Sequence, residues 1–222
     1  MKSYIIRLPS NQFSCDMADK CIDQAQKFNL KIEKFDGIDG KQADEIFKRD
    51  KISQYPRKLK KNSEGVRGCA GSHYLLWKKC VDDGVPYLIL EHDAYMIRPL
   101  PDVLEKFDEI LKLDSCNPFS YEYDTQVNVI KDDAVIPYDT SWGYKEKKAP
   151  YGAYFLGLWA YIIKPTAAEK LLNAIKINGW VPADKQIGVQ LLNLNATSNT
   201  IFRIHPQYNA DNIHQMSLTR KK

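Results

Sequence analysis

A chain of 222 residues, 44% hydrophobic and 27% charged, can bury a substantial core as one globular unit, which excludes a disordered or fibrous protein. Its five cysteines form no CxxC pair, and their odd number argues against a disulfide framework. The formal net charge of +4 hides an asymmetry: residues 48–61 carry seven basic side chains against Asp50 alone, while residues 101–140 carry ten acids against three lysines.

Ser3–Leu8 reads as a first strand, preceded by too little apolar sequence for a signal peptide, so a cytoplasmic location is expected. From Cys15 to Phe28 the apolar positions Ala18, Cys21, Ile22, Ala25 and Phe28 recur at helical spacing, with Ser14 available as a cap. Lys31–Phe35 is a second strand running into the turn-rich Asp36-Gly37-Ile38-Asp39-Gly40, and strand–helix–strand implies a parallel pair. Lys48–Glu64 has little periodicity and reads as a mobile basic loop, either a solvated face or a contact for a polyanion such as nucleic acid, a phosphorylated lipid or a diphosphate.

Cys69–Val81 is predicted helical, with Cys69, His73, Leu76, Trp77, Cys80 and Val81 on one side. Pro86-Tyr87-Leu88-Ile89-Leu90-Glu91-His92-Asp93 then forms the most informative run: a strand apolar on both faces, ending in two acids around a histidine. Ligands of open α/β sheets bind just beyond the carboxyl ends of such strands, and acids placed there can hold a divalent cation against a phosphate. Pro101 opens a predicted helix with the stripe Val103, Leu104, Phe107, Ile110 and Leu111. Asn117–Ile130 suggests two short strands, Asp132–Lys148 a loop, and Tyr151–Ile163 a strand. Thr166-Ala167-Ala168-Glu169 reads as a capping box opening a helix to Ile175, a further helix runs from Asp184 to Leu192, and Thr200–Ile204 is a last strand before a tail over 206–222. The pattern predicts a single α/β domain over 1–222 with a mixed, mostly parallel sheet flanked by helices.

Phe35–Gly40, Gly65-Val66-Arg67-Gly68-Cys69-Ala70-Gly71-Ser72-His73-Tyr74-Leu75-Leu76-Trp77, Tyr87–Asp93, Gly157–Ile163 leading into Ala167–Leu172, and Pro182-Ala183-Asp184 resemble, in order, the blocks of glycosyltransferase family 25. That family includes lipooligosaccharide and collagen galactosyltransferases. Glu91-His92-Asp93 stands where the family usually carries Glu-Asp-Asp, and Ile6-Arg7-Leu8 where it usually reads Ile-Asn-Leu. The resemblance implies a GT-A fold of Rossmann type, a nucleotide-sugar donor such as a UDP-sugar, and a divalent metal, Mn²⁺ or Mg²⁺.

Carried over by that resemblance, Asp93 is the metal ligand and Glu91 the supporting carboxylate, with Asp36, Gly68, Ser72 and His73 completing the donor side. Backbone N–H groups at the glycine-rich helix start could approach an anion, while His73 also suits plain helix packing. His92 is either a second metal ligand, since imidazole suits Mn²⁺, or structural, the reading favoured by strand alternation, which points it away from Glu91 and Asp93. Asp184 is either a helix N-cap or the base that receives the acceptor's proton. His205 or His214 could close the metal site, or be ordinary tail histidines. The acceptor is expected to be a glycan or lipid-linked glycan. Alternatives are hydroxymethylated bases of phage-type DNA reached through the 48–61 segment, hydroxylysine of collagen-like chains, and a degenerate protein that only binds a glycan or nucleotide.

Overall fold

The computed structural model describes residues 1–55, 63–114, 134–138, 140, 150–155 and 157–206. The alternation inside the apolar strands sets the layers. In β3 (Tyr87–Glu91), Tyr87 and Ile89 face one hydrophobic cluster while Leu88 and Leu90 face the other. β1 (Lys2–Arg7) divides Tyr4 and Ile6 from Ile5 in the same way, and β7 (Ala160–Ile163) divides Tyr161 and Ile163 from Ala160 and Ile162. All four apolar residues of β3 are fully buried, and each of the aliphatic three, Leu88, Ile89 and Leu90, contributes about 1.5–3 kcal/mol. A strand this apolar is stable only with helices on both faces. α3 (Glu64–Asp83) and α4 (Pro165–Asn178) cover one face; α1 (Gln12–Gln26) covers the other.

Among the described residues the main sheet has seven strands in the order β2-β1-β3-β7-β5-β8-β6, where β2 is Glu33–Asp36, β5 Ile110–Lys112, β6 Val135–Pro137 and β8 Leu194–Thr197. The pairings β2–β1, β1–β3 and β5–β8 are parallel; β3–β7, β7–β5 and β6–β8 are antiparallel. The sheet is therefore mixed. The expected parallel majority holds for strand direction, since β2, β1, β3, β5 and β8 share one, but not for neighbouring pairs. The shared direction brings Asp36, Glu91 and the end of β5 to one rim. A second, two-stranded sheet pairs β4 (Ala94–Met96) with β9 (Phe202–Ile204), and its last bond, from the N–H of His205 to the carbonyl of Asp93 at 2.7 Å, closes it against that rim.

Several local expectations are corrected. Asn11, not Ser14, caps α1: its side chain accepts from the Ser14 N–H, and buried Ser14 Oγ accepts from the Leu8 N–H at 2.9 Å. α2 (Gly40–Arg49) fills the stretch between the turn at 36–40 and the basic segment, where no element was expected, and is opened by a reciprocal capping box between Asp39 and Gln42. Residues 101–111 form no helix. Val103, Phe107 and Leu111 are buried as their spacing suggests, but Ile110–Lys112 is held between β7 and β8, and ladders on both sides outweigh a local helical preference. Residues 135–137, read as loop, pair with β8. Regular strand begins only at Ala160 rather than Tyr151; Gly157, at φ +75°, breaks the run before it.

At α4 the helix starts earlier than the Thr166–Glu169 box. Pro165 takes the first helical position, and the Lys164 carbonyl accepts from the N–H groups of Ala167 and Ala168. The helix expected over 184–192 is one turn, α5 (Ala183–Gln186). It stops before Gly188, where any Cβ would lie 2.4 Å from the Tyr151 carbonyl oxygen. The two strands expected in 117–130, most of the 132–148 loop, residues 56–62 of the basic segment, and the tail with Tyr208 and His214 lie outside the described residues.

The one acid of the basic segment is a structural clamp. Asp50 accepts from Arg49 Nε at 2.8 Å, the Tyr74 hydroxyl at 2.8 Å and Lys78 Nζ at 3.1 Å, joining α2 to α3. The Arg49 contact first, then Tyr74 and Lys78, outweigh burial and hold its carboxyl well below the usual range. A depressed carboxyl contributes stability above its unfolded value, and that contribution is lost as pH falls through the folded one. Asp50→Asn is expected to cost about 1–2 kcal/mol at pH 7, with the gap from wild type narrowing below about pH 4. Urea midpoints at pH 7 and pH 3 check it; a gap constant across that range would contradict it.

Candidate functional site

α3 and the end of β3 build the centre of the site. Ser63 caps α3 by accepting from the Val66 N–H, and Gly84, at φ 65°, ends it in the left-handed conformation that favours glycine. Between these caps Cys69, His73 and Trp77 recur every four residues and so share one helix face. That face meets the sheet side occupied by Tyr87 and Ile89, and alternation brings Glu91 to the same side.

A chain of polar contacts follows. Trp77 Nε1 donates to the Tyr161 hydroxyl at 3.0 Å, Tyr161 Oη lies 2.8 Å from His73 Nδ1, and His73 Nε2 lies 3.3 Å from Glu91 Oε1. Trp77, Tyr161 and His73 are at most 1% exposed. One assignment satisfies every group: Tyr161 donates to Nδ1, and the proton on His73 Nε2 is given to Glu91. The Cys69 thiol also donates to Glu91 Oε1, at 3.6 Å. Burial pushes the Glu91 carboxyl up, but its hydrogen bond with His73 first, and then the nearby His92, prevail and hold it below its usual value.

Asp93 sits in the turn between β3 and β4. Its Oδ1 is buried and has no hydrogen-bond partner among the described residues. Burial first, then the charges of Glu91 and Asp114, push its carboxyl up to about 8. Two rim residues were not foreseen. Lys112, at the end of β5, pairs with Asp114, donates to the Gly157 carbonyl at 3.1 Å and lies over the rings of Phe155 and Trp159. Both members of the pair are buried. Burial lowers the Lys112 ammonium, with Asp114 acting against it. The alternation Ile110-Leu111-Lys112-Leu113-Asp114 was the available signal, since Leu111 and Leu113 join the α1-side cluster while Ile110 joins the other.

The remaining expected residues divide. Asp184 lies in the first turn of α5, where Oδ1 accepts from the Lys185 N–H at 2.9 Å; the cap position is Pro182. Its charge reaches the Cys69 thiol, which burial first and then Glu91, Asp184 and Asp93 push well up. Asp184 therefore belongs to the same electrostatic cluster. His205 is brought beside Asp93 by its backbone bond, but its ring packs edge-on against Tyr95 at 4.9 Å, and burial, then Lys20 and Arg203, lower its imidazolium.

Ser72 and Gly68 have packing work. Ser72 Oγ donates to the Gly68 carbonyl and accepts from the Ile38 N–H, and a Cβ at Gly68 would lie 2.5 Å from the Ile38 carbonyl oxygen. Asp36 is exposed and accepts from Arg7 Nε at 2.8 Å. Among the described residues, a set of three close enough to share a metal ion is Cys69, His73 and Glu91. No helix of the described residues is long and apolar enough to cross a membrane.

Residues 1–187 match the sequence family described as Glycosyltransferase family 25 (LPS biosynthesis protein). The lipooligosaccharide biosynthesis protein lic2B of Haemophilus influenzae is 25% identical over 150 residues, 66% of this chain and 53% of that protein. The lipooligosaccharide biosynthesis protein lex-1 of the same species is 28% identical over 137 residues, 60% of this chain and 43% of that protein. The chain thus spans about half the length of the curated relatives it matches. Mouse xyloside xylosyltransferase 1 in its apo form superposes with a TM-score of 0.37 at 9% identity, over 83% of this chain and 79% of that one.

Proposed function

The chain belongs to glycosyltransferase family 25, and from that premise we propose that residues 1–222 form one domain that moves a sugar from a nucleotide-sugar donor to an acceptor hydroxyl on a growing lipooligosaccharide. The acceptor class is supported by the names of the two Haemophilus relatives. The observation that carries the site is the buried, unpartnered Oδ1 of Asp93 at the rim, crowded by the charges of Glu91 and Asp114. An anionic cluster with an unused hard oxygen suits a divalent cation such as Mn²⁺ or Mg²⁺. Asp93 would hold that ion, which when bound neutralises charge on the leaving diphosphate.

Glu91, fixed by His73, orients the donor from the other side of the turn. Asp184 receives the proton of the acceptor hydroxyl as its oxygen attacks the anomeric carbon and the bond to the diphosphate breaks on the opposite face. In-line displacement of this kind inverts the anomeric configuration. Lys112, paired with Asp114, adds a buried basic group to the rim.

The test is melting of the protein with a panel of nucleoside diphosphates and their sugars, with and without Mn²⁺. A ligand at 100 times its dissociation constant adds about 2.7 kcal/mol, so one metal–nucleotide pair is expected to raise the melting temperature more than either component alone. The matching nucleotide sugar should be hydrolysed slowly in a metal-dependent way. Absence of any cooperative shift across the panel would refute the reading.

A further inference from the structure

We propose that Cys69, His73 and Glu91 bind a borderline-soft divalent ion of the zinc class, at a site separate from the hard cation assigned to Asp93. Their ligand atoms all lie within 4.8 Å of one another. Cys69 and His73 stand one helical turn apart on α3, and Glu91 meets them from the end of β3. Bonds of about 2.0–2.1 Å to nitrogen and oxygen and about 2.3 Å to sulfur, in tetrahedral geometry, set ligand separations of about 3.3–3.4 Å for N···O and about 3.5–3.6 Å for S···O. The protein has 3.3 Å from His73 Nε2 to Glu91 Oε1 and 3.6 Å from Cys69 Sγ to the same oxygen. An ion could thus enter with little movement of those pairs.

The supporting shell is also in place. Metal-bound histidines almost always anchor their second ring nitrogen on a polar partner, and His73 Nδ1 already faces the Tyr161 hydroxyl at 2.8 Å, itself held by Trp77. On binding, Cys69 ligates as the thiolate and releases one proton. The His73 proton moves from Nε2, which takes the ion, to Nδ1, where it donates to Tyr161 Oη. A thiolate and an imidazole favour zinc-class ions over magnesium, and three protein ligands leave a fourth position open. The inference does not depend on the transferase reading, but an ion there would hold Glu91 and so inhibit whatever chemistry that carboxylate serves.

Co²⁺ is the probe, added to reduced, chelator-stripped full-length protein. One equivalent is expected to produce a thiolate-to-cobalt charge-transfer band and the strong visible bands of four-coordinate cobalt. Stoichiometric Zn²⁺ should displace it; excess Mg²⁺ should not. Cys69→Ser should remove the charge-transfer band and weaken zinc binding by at least about 10²-fold, the upper end of what loss of an outer-shell partner does. Cys15→Ser should leave both intact. X-ray absorption of the zinc-loaded wild-type protein, which needs no variant, should show one sulfur ligand. A wild-type protein with no charge-transfer band, a band that survives Cys69→Ser, or a zinc shell of nitrogen and oxygen alone would overturn the proposal.

Discussion

Asp93→Asn is expected to raise the melting temperature of the metal-free protein and to remove most of its transferase activity. The two effects share one cause. A carboxyl pushed up to about 8 by burial, Glu91 and Asp114 binds its proton more tightly folded than unfolded. The wild-type protein therefore loses stability as pH rises from the unfolded value of about 4 toward the folded one. Asparagine carries no such charge, so the variant should match wild type near pH 4 and exceed it by about 1–3 kcal/mol at pH 8. For a chain of this length that is roughly 2–12 °C.

Adding Mn²⁺ and the cognate nucleotide should reverse the order, because only wild type gains the linkage term. Activity should fall by about 10²–10³-fold, the scale of losing one electrostatic element of a transition-state site. Melting curves from pH 4.5 to 8.5, with and without metal, settle the matter. A variant less stable than wild type at pH 8, or equally stabilised by metal and nucleotide, would show that Asp93 is an ordinary structural carboxylate.

Asp184→Asn should behave differently. If Asp184 takes the acceptor's proton, the amide keeps the hydrogen bond to the Lys185 N–H but cannot act as a base. The expected loss is about 10²–10⁴-fold in kcat, with the metal–nucleotide melting shift unchanged. Donor binding and proton transfer are thus assigned to two different acids. A kcat within tenfold of wild type would remove Asp184 from the reaction; loss of the melting shift would move it to the donor side.

The parts of this arrangement that were legible in the chain are those whose periodicity and neighbours agree. Leu88 and Leu90 alternate with Tyr87 and Ile89, both faces of β3 are covered, and the strand ends at the acids where the apolar run does. Cys69, His73 and Trp77 share a helix face on spacing alone, and they lie within the helix the chain implies. Residues 103–111 failed because their stripe fits a helix while their partners are strands: β5 is fixed by β7 and β8, which no local pattern contains. The same misreading hid Lys112 and Asp114.

Other misses had local signals. Asp39 and Gln42 have the spacing of a capping box and begin α2, while Pro165 starts α4 before the more conspicuous Thr166. Gly188 marks a point where the chain just after α5 meets the Tyr151 backbone, and only the folded chain reveals that approach. The distances that make Cys69, His73 and Glu91 a set are likewise tertiary, since residue 91 is not near 69 or 73 in any secondary element.

The chain from Trp77 through Tyr161 and His73 to Glu91 also limits how this protein can be engineered for heat resistance. Its interior positions look open to aliphatic redesign, yet two of the largest, Trp77 and Tyr161, belong to a polar relay that aims one acid. Tyrosine-to-phenylalanine at 161 would keep the volume and delete a single oxygen, but it would release an indole and an imidazole at once. Thermostabilising libraries should therefore treat the α1 side of the sheet as free to vary and hold the α3 side fixed around that relay.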